Sequence, residues 1–430
     1  MLKSKALKAI SLLWLSSLLG AGCAFFTQVI MARELGLEQF GLFSSALSLA
    51  ALLTPIAGFG IPQLWLKIFG EEGRNGVRWL NPSFLFIVQT TLFAIGVIFL
   101  WAWLGPHSVQ MRTVLITLTL YTIGQVFIEV SSSKLQLEER YMLLGVIQLT
   151  PHALRLIAFS VLHFFAALTL TASTAAVIYA VVASPIIIWG VSEMGKMRKG
   201  KFSLKGHENR CDFSPKEAPT LKNVAANAWP FGLAGAFHII ISQANIVLIG
   251  YMIGPSSAGI FNVAFTVMTA VYLLPTVIYQ KFLLPKFHIW ANFERDKFYK
   301  VYKSGNQLML ILGVLAMAAI MIFSPWAIPF LFGSEYSDVI SVLSILAVCA
   351  PIRFLANSVG AVLITQQHMK KKVYFMGVTA FLNIVFIVSL TKLWGQSGAA
   401  IATILSDSVL LAFYYFSARC WVFKEHRQTN

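Results

Sequence analysis

Along most of this chain the apolar residues do not alternate with polar ones; they run on without a break. Stretches of about 20 or more such residues recur twelve times, at roughly 8–32, 41–65, 83–104, 113–133, 143–168 and 172–193, then 224–249, 259–281, 306–328, 339–363, 373–393 and 397–418. A helix of about 20 residues spans a hydrocarbon layer about 30 Å thick. The in–out alternation of a membrane barrel strand is missing from these runs. The pattern therefore predicts an all-α, polytopic membrane protein with about twelve transmembrane helices.

The polar punctuation carries a second signal. "ARELGLEQFGLF" (32–43) joins the first two runs, and "GYMIGPSSAGIF" (250–261) joins the seventh and eighth. At an offset of 218 residues Gly36 matches Gly254, Gly41 matches Gly259, Phe43 matches Phe261 and Ala46 matches Ala264. "STAAV" (173–177) and "SGAAI" (397–401) echo each other near the ends of the two halves. Six runs per half is an even number, so both halves enter the membrane from the same side. A pseudo-twofold axis along the membrane normal then relates two six-helix bundles, residues 1–194 and 223–430. A basic cytoplasmic linker, 195–222, joins them.

Composition sharpens the assignment. Of 430 residues 57% are hydrophobic and 12% charged, with a mean hydropathy of +0.74. A soluble surface needs about twice that charged fraction. The N-terminus resembles a lipoprotein signal ending at Cys23, but Gly20 occupies the position three residues before it, where a large aliphatic residue is wanted. The apolar run also continues to about Met31, so a retained first helix is expected. The four cysteines form no cluster suited to a metal or a disulfide framework.

The net charge of +16 resolves into topology. Nearly all Lys and Arg fall in alternate loops with the N-terminal Lys3, Lys5 and Lys8, in the linker, or in the tail with Lys424 and Arg427. Arg33, Arg112 and Lys392 fall in the other loops. The positive-inside rule then puts both termini in the cytoplasm. Anionic membrane lipids are the expected partners of these charges. No nucleic-acid-binding motif accompanies them. "GKMRKGKF" (195–202) lacks the final Ser or Thr of a phosphate-binding loop and follows a membrane helix instead of a strand. No catalytic set, metal cluster or cofactor motif is evident.

The first hinge with "SSALSLAALLTPIAGFGIPQL" (44–64), and "YLLPTVIYQKFLLPKF" (272–287) in the second half, resemble the polysaccharide-export branch of the multidrug/oligosaccharidyl-lipid/polysaccharide transporters. That branch includes the O-antigen flippases. The resemblance extends over essentially the whole chain through the twelve-span layout and basic middle loop. It implies a fold like that of the multidrug exporters of the superfamily. It also implies a bacterial inner-membrane flippase for a polyprenyl-diphosphate-linked oligosaccharide, working by alternating access, with an O-antigen polymerase as a downstream partner. A cation-coupled multidrug exporter of the same superfamily and a membrane enzyme of glycan assembly are the alternatives. The exporter calls for an acidic cavity, and the enzyme for a large outward loop with paired acids.

Ionisable groups at membrane depth are the candidate site. An Arg, Lys or Asp there costs about 2.5–3.5 kcal/mol on insertion scales, so it belongs inside the bundle. Arg155 and His152 share a face of the fifth span with Gln148, and Arg353 lies in the tenth with Asn357 one turn on. Paired guanidinium donors suit a diphosphate. Alternatively each arginine pairs with an acid, Glu129 or Asp407, and locks helices. Those same acids are candidates for H⁺ or Na⁺ coupling. His238, Ser242 and Asn245 form a polar face of the seventh span, suited to helix contacts or to sugar. Lys67 and Lys281, at the inner ends of their spans, either snorkel to the interface or capture substrate at the inner mouth.

Overall fold

The structure is a computed structural model and describes residues 2–165, 170–205, 217–276, 294–363 and 369–423, with 278, 279, 283, 287 and 290. Among the described residues it is wholly helical. The principal helices are α1 (Leu2–Leu53), α2 (Ile61–Glu72), α3 (Leu80–Leu104), α4 (Val109–Leu137), α5 (Tyr141–Phe165) and α6 (Ala172–Arg198). They continue with α7 (Leu221–Met252), α8 (Pro255–Thr276), α9 (Arg295–Phe332), α10 (Val339–Ala347), α11 (Cys349–Val362) and α12 (Met369–Ser417).

Nine helical stretches of the described residues are long and apolar enough to cross a membrane, or ten if α10 and α11, bent by 42°, form one span. Twelve apolar runs become fewer separate crossing stretches because two pairs of runs are joined across a kink with no loop between them. In α1 the single residue Gly36 leaves the helical region, at φ 69° and ψ 171°. In α12 the break is confined to Trp394 and Gly395. A glycine accepts such angles at no steric cost, so the chain turns within one or two residues instead of looping. The second apolar run, by contrast, is divided by turns at 54–60 before α2 begins. At Arg295 helix α9 starts earlier than hydropathy indicates, because the charged stretch before the apolar run is helical too.

The chain forms two compact units. One contains Met1–Thr27 and Ala46–Ile239, the other Gln28–Ser45 and Ile240–Asn430. Thus 28–45 packs with the C-terminal half of the sequence, and the start of α7 with the N-terminal half, where an even division at the linker assigns each to the other side. Linker residues 206–216 lie outside the described residues.

In the first unit, Trp65, Phe69, Trp79, Val126, Met197 and Val224 pack into one core that joins α2, α3, α4, α6 and α7. The chain leaving α6 returns onto it: the Phe202 ring meets Phe69 at 5.5 Å, and the Lys205 N–H donates to the Leu137 carbonyl at 3.1 Å. Buried Lys134 ties α4 to α6 through Glu193 and also reaches Glu138. Leu92, Phe93, Ile157, Val181 and Ile188 remain exposed, as side chains facing acyl chains should.

In the second unit the two repeated hinges meet. A Cβ on Gly41 would fall 1.7 Å from the Pro255 carbonyl oxygen, and one on Gly259 would fall 2.8 Å from that of Leu37. Residue 41 thus faces 255 while 259 faces 37, the reciprocity that a local twofold demands at an offset of 218. On the same pattern, the Asn262 amide donates to Ser44 Oγ at 3.0 Å. Gly36 and its counterpart Gly254 both have positive φ, 69° and 134°. The glycines recur because helices cross there backbone to backbone, and a side chain at either crossing point would force them apart.

The Gly36 break also frees carbonyls of the preceding turn. Tyr336, fully buried, donates its hydroxyl to the Ala32 carbonyl at 2.9 Å. Arg33 donates in return to the terminal carbonyls of α9, to Leu331 at 2.7 Å and to Phe330. A cation on a helix C-terminus is favourable. Arg33 thus caps a neighbouring helix.

Candidate functional site

Helix α4 presents Tyr121, Gln125 and Glu129 at successive turns of one face, and α5 presents Gln148, His152 and Arg155. Two cavities open within the first unit along these faces. One, of about 280 Å³, is lined by Gln63, Tyr121, Gln125, Glu129 and His238 with the turn at Thr54–Gly60 and the start of α7. The other, of about 350 Å³, is lined by Ser16, Ser17, Gln125, Gln148, Pro151 and His152. Gln125 belongs to both walls.

On the same face of α5 as His152, Arg155 is only 5% exposed. Its guanidinium carbon lies 4.2 Å from the centre of the Tyr179 ring and 5.2 Å from that of Tyr121. Its Nε is buried and has no hydrogen-bond partner. No carboxylate among the described residues pairs with it; Glu129 stands exposed in the cavity wall instead. A desolvated cation–π contact is worth about 2 kcal/mol, and burying an ion costs several. Two ring faces therefore roughly offset the burial without neutralising the charge. Among the described residues there are two fully buried cations, Lys134 and Arg155. Lys134 is paired with acids and Arg155 is not.

Arg353, in the second unit, is arranged differently. Its Nε donates to Asp407 Oδ2 at 2.7 Å, which ties α11 to α12. Its face lies 5.1 Å from the Tyr272 ring. The pairing weighed from sequence is present here, and Asp407 is 2% exposed. Asn357, one turn on, is half-buried.

The polar face of α7 separates into parts. His238 is exposed and lines the smaller cavity of the first unit. Ser242 and Asn245 are buried in the second unit, where the Asn245 amide donates to Thr403 at 3.1 Å, a helix-to-helix contact. Lys67 is exposed on α2. Lys281 lies outside the described residues. Among the described residues no three His, Cys, Asp or Glu side chains gather as a metal site requires.

Sequence reasoning missed Tyr121, Tyr179, Ser16 and Ser17. Tyr121 was detectable, two turns before Glu129 on the same helix face. Tyr179 and the serines were not, because only the packing of α6 and α1 brings them to α5.

Comparison with known proteins fits this architecture. The family model described as "Polysaccharide biosynthesis protein" matches residues 6–288. A relative from Haloferax volcanii, "Probable low-salt glycan biosynthesis flippase Agl15", is 23% identical over 94% of this chain and 82% of its own length. "Lipopolysaccharide biosynthesis protein WzxC" of Escherichia coli is 21% identical over 92% and 77%. Among solved structures, the lipid II flippase MurJ in an inward closed conformation superposes with a TM-score of 0.72 at 12% identity, over 95% of this chain and 87% of that one. An inward-facing multidrug-resistance transporter of the MATE family gives 0.66 at 16%, over 95% and 96%. Those two likenesses concern the fold alone. With the resemblance carried by its glycine hinges and the match across most of its length, the chain belongs to the polysaccharide biosynthesis protein family, in its flippase branch.

Proposed function

We propose that this multi-pass membrane protein flips a polyprenyl-diphosphate-linked oligosaccharide, an O-antigen repeat unit, across the bacterial inner membrane by alternating access. The coarser part of that reading, a lipid-linked glycan transporter and not an enzyme, rests on the family and its flippase relatives. The diphosphate part is supported by one observation, a buried arginine without a carboxylate partner whose neighbours line two cavities, and the O-antigen cargo by the family resemblance alone.

The physical task is to carry about two negative charges through a layer of low dielectric. An unneutralised guanidinium lowers that barrier, since unit charges 4 Å apart interact with about 4 kcal/mol at an effective dielectric of 20. Arg155, with His152 beside it, takes the diphosphate. Gln148 and the neutral lining of the larger cavity offer hydrogen bonds to sugar hydroxyls, and the prenyl tail stays in lipid. Arg353 joins the site only when it exchanges Asp407 for phosphate. Asn357 and the polar groups of α7 belong to the same path, and Lys67 and Lys281 attract the headgroup at the cytoplasmic mouth. Glu129, facing the cavity with His238, is the first choice for H⁺ or Na⁺ coupling, and Asp407 the second.

In this reading the breaks at Gly36 and at Trp394–Gly395 mark membrane surfaces, the bent α10–α11 pair is one span, and the total is twelve. Two six-helix bundles joined by the basic linker then rock about a pseudo-twofold axis along the membrane normal, with both termini cytoplasmic. An O-antigen polymerase consumes the product on the far side. Glu129, in the smaller cavity, is the one carboxylate in the lining of either, which is little for an exporter of cationic drugs.

The experiment is deletion and complementation in the native host. Deletion is expected to strand the lipid-linked unit on the cytoplasmic side and remove surface O-antigen, and an Arg155→Ala copy is expected not to restore it while Arg155→Lys does so in part. Normal surface glycan in the deletion strain overturns the assignment, and full rescue by Arg155→Ala removes the anion site.

A further inference from the structure

Arg155 lines neither cavity itself; Tyr121 lines the smaller and His152 the larger. Its two aromatic neighbours are also unlike each other. Tyr179 is 4% exposed, stands closer to the guanidinium, at 4.2 Å against 5.2 Å, and is braced at its edge by Phe159 at 6.5 Å. Tyr121 is half-buried, meets Tyr179 edge-on at 5.8 Å, and forms part of the cavity wall. We propose that Tyr121 and Tyr179 are positioning residues for Arg155: their ring faces stand in for a counter-anion while the site is empty, with Tyr179 as the fixed platform and Tyr121 as the cover that phosphate displaces.

The reason is electrostatic. A carboxylate in contact would hold the guanidinium as firmly as Asp407 holds Arg353, and an incoming diphosphate would have to break that pair. A ring face offers attraction without a full charge or a bound proton. It keeps the guanidinium flat and charged while leaving its N–H edge, including the unpartnered Nε, uncommitted. An anion then gains nearly the whole interaction. Of the two rings, only Tyr121 has the cavity on one side and Arg155 on the other, so it is the one that moves.

This inference rests on the reading of Arg155 as the anion site, and the test separates the two. The full-length protein in lipid nanodiscs is titrated with inorganic pyrophosphate by calorimetry, and association is followed by stopped flow. Tyr179→Leu is expected to weaken binding about tenfold and Tyr179→Phe less than about twofold. Tyr121→Leu is expected to bind at least as tightly as the wild type and to associate faster. On an Arg155→Ala background, Tyr179→Leu is expected to add nothing.

Should Tyr179→Leu fail to insert, trifluorophenylalanine at position 179 keeps the shape of phenylalanine while draining the ring's negative face. It is then expected to bind several-fold more weakly than Tyr179→Phe, and equal affinities overturn the proposal. So do an unchanged affinity in Tyr179→Leu, a Tyr179→Phe as weak as Tyr179→Leu, a Tyr121→Leu weakened as much as Tyr179→Leu, or further loss on the Arg155→Ala background. If Arg155→Ala binds like the wild type, the anion-site reading fails and the positioning role falls with it. If Arg155→Ala loses binding while Tyr179→Leu does not, only the positioning role falls.

Discussion

Two arginines of one chain both stack on tyrosine and both keep a buried guanidinium nitrogen without a partner, yet only one is paired with an acid. Arg353 in the second unit has a carboxylate at 2.7 Å. Arg155 in the first has two tyrosine faces and an idle Nε. Both carry the same insertion cost, so the difference lies in how it is offset. Pairing offsets it in this conformation and fastens α11 to α12. Stacking offsets it while leaving a charge to be used. A charged residue at membrane depth is therefore not one kind of signal: its nearest partner decides whether it holds helices together or waits for a ligand.

The largest effect that would test this contrast is on stability. Asp407→Ala leaves Arg353 uncompensated and is expected to cost about 3–5 kcal/mol, read as thermal denaturation in detergent. Arg155→Met removes a cation that no acid needs while keeping most of the bulk, and is expected to shift stability by less than about 1 kcal/mol. Equal losses would erase the distinction.

Transport provides the next test. In liposomes carrying a polyprenyl-diphosphate glycan, Arg155→Ala is expected to reduce flipping about 30-fold or more, close to 2 kcal/mol. The swap Arg353→Met with Asp407→Leu, which replaces the pair by apolar bulk, is expected to retain most of the stability. If the swap abolishes flipping while remaining folded, Arg353 is a second anion site and the contrast narrows.

Smaller effects concern how firmly the second unit is held. Gly41→Val drives a side chain into the Pro255 carbonyl and is expected to cost about 3 kcal/mol; Gly259→Val, whose Cβ has 2.8 Å to the Leu37 carbonyl, is expected to cost about 1 kcal/mol. A loss at neither position would contradict the backbone-to-backbone crossing. Tyr336→Phe deletes the hydrogen bond to Ala32 and is expected to cost about 1 kcal/mol.

Burial, aided by Glu335, raises the Tyr336 pKa above its ordinary value. A raised folded pKa means that the contribution is complete below the unfolded value, near 10, and is lost as pH climbs through the folded one. Denaturation scans from pH 8 to 11.5 are therefore expected to show a wild-type decline at the alkaline end that Tyr336→Phe lessens.

Much of the fold was legible because hydrocarbon imposes it. Long apolar runs have to be helices, since lipid supplies no partner for an open backbone group. The 218-residue offset was legible because glycine cannot be replaced where backbones cross, and Gly41 and Gly259 do cross. The number of separate helices was not, since a one-residue turn at Gly36 leaves hydropathy unchanged. The grouping of 28–45 with the C-terminal half was equally hidden, because packing between distant segments has no local periodicity.

For the site, the sequence by itself determined which charges lie at membrane depth, and therefore that each requires a partner or a cavity. Only the tertiary structure decided which partner each received. Arg353 met Asp407 because α11 packs on α12. Arg155 met Tyr179 because α6 packs beside α5, and no spacing along the chain encodes either encounter. Composition and hydropathy are sums over neighbours in sequence, whereas the state of a buried charge is set by atoms within about 4–6 Å in space.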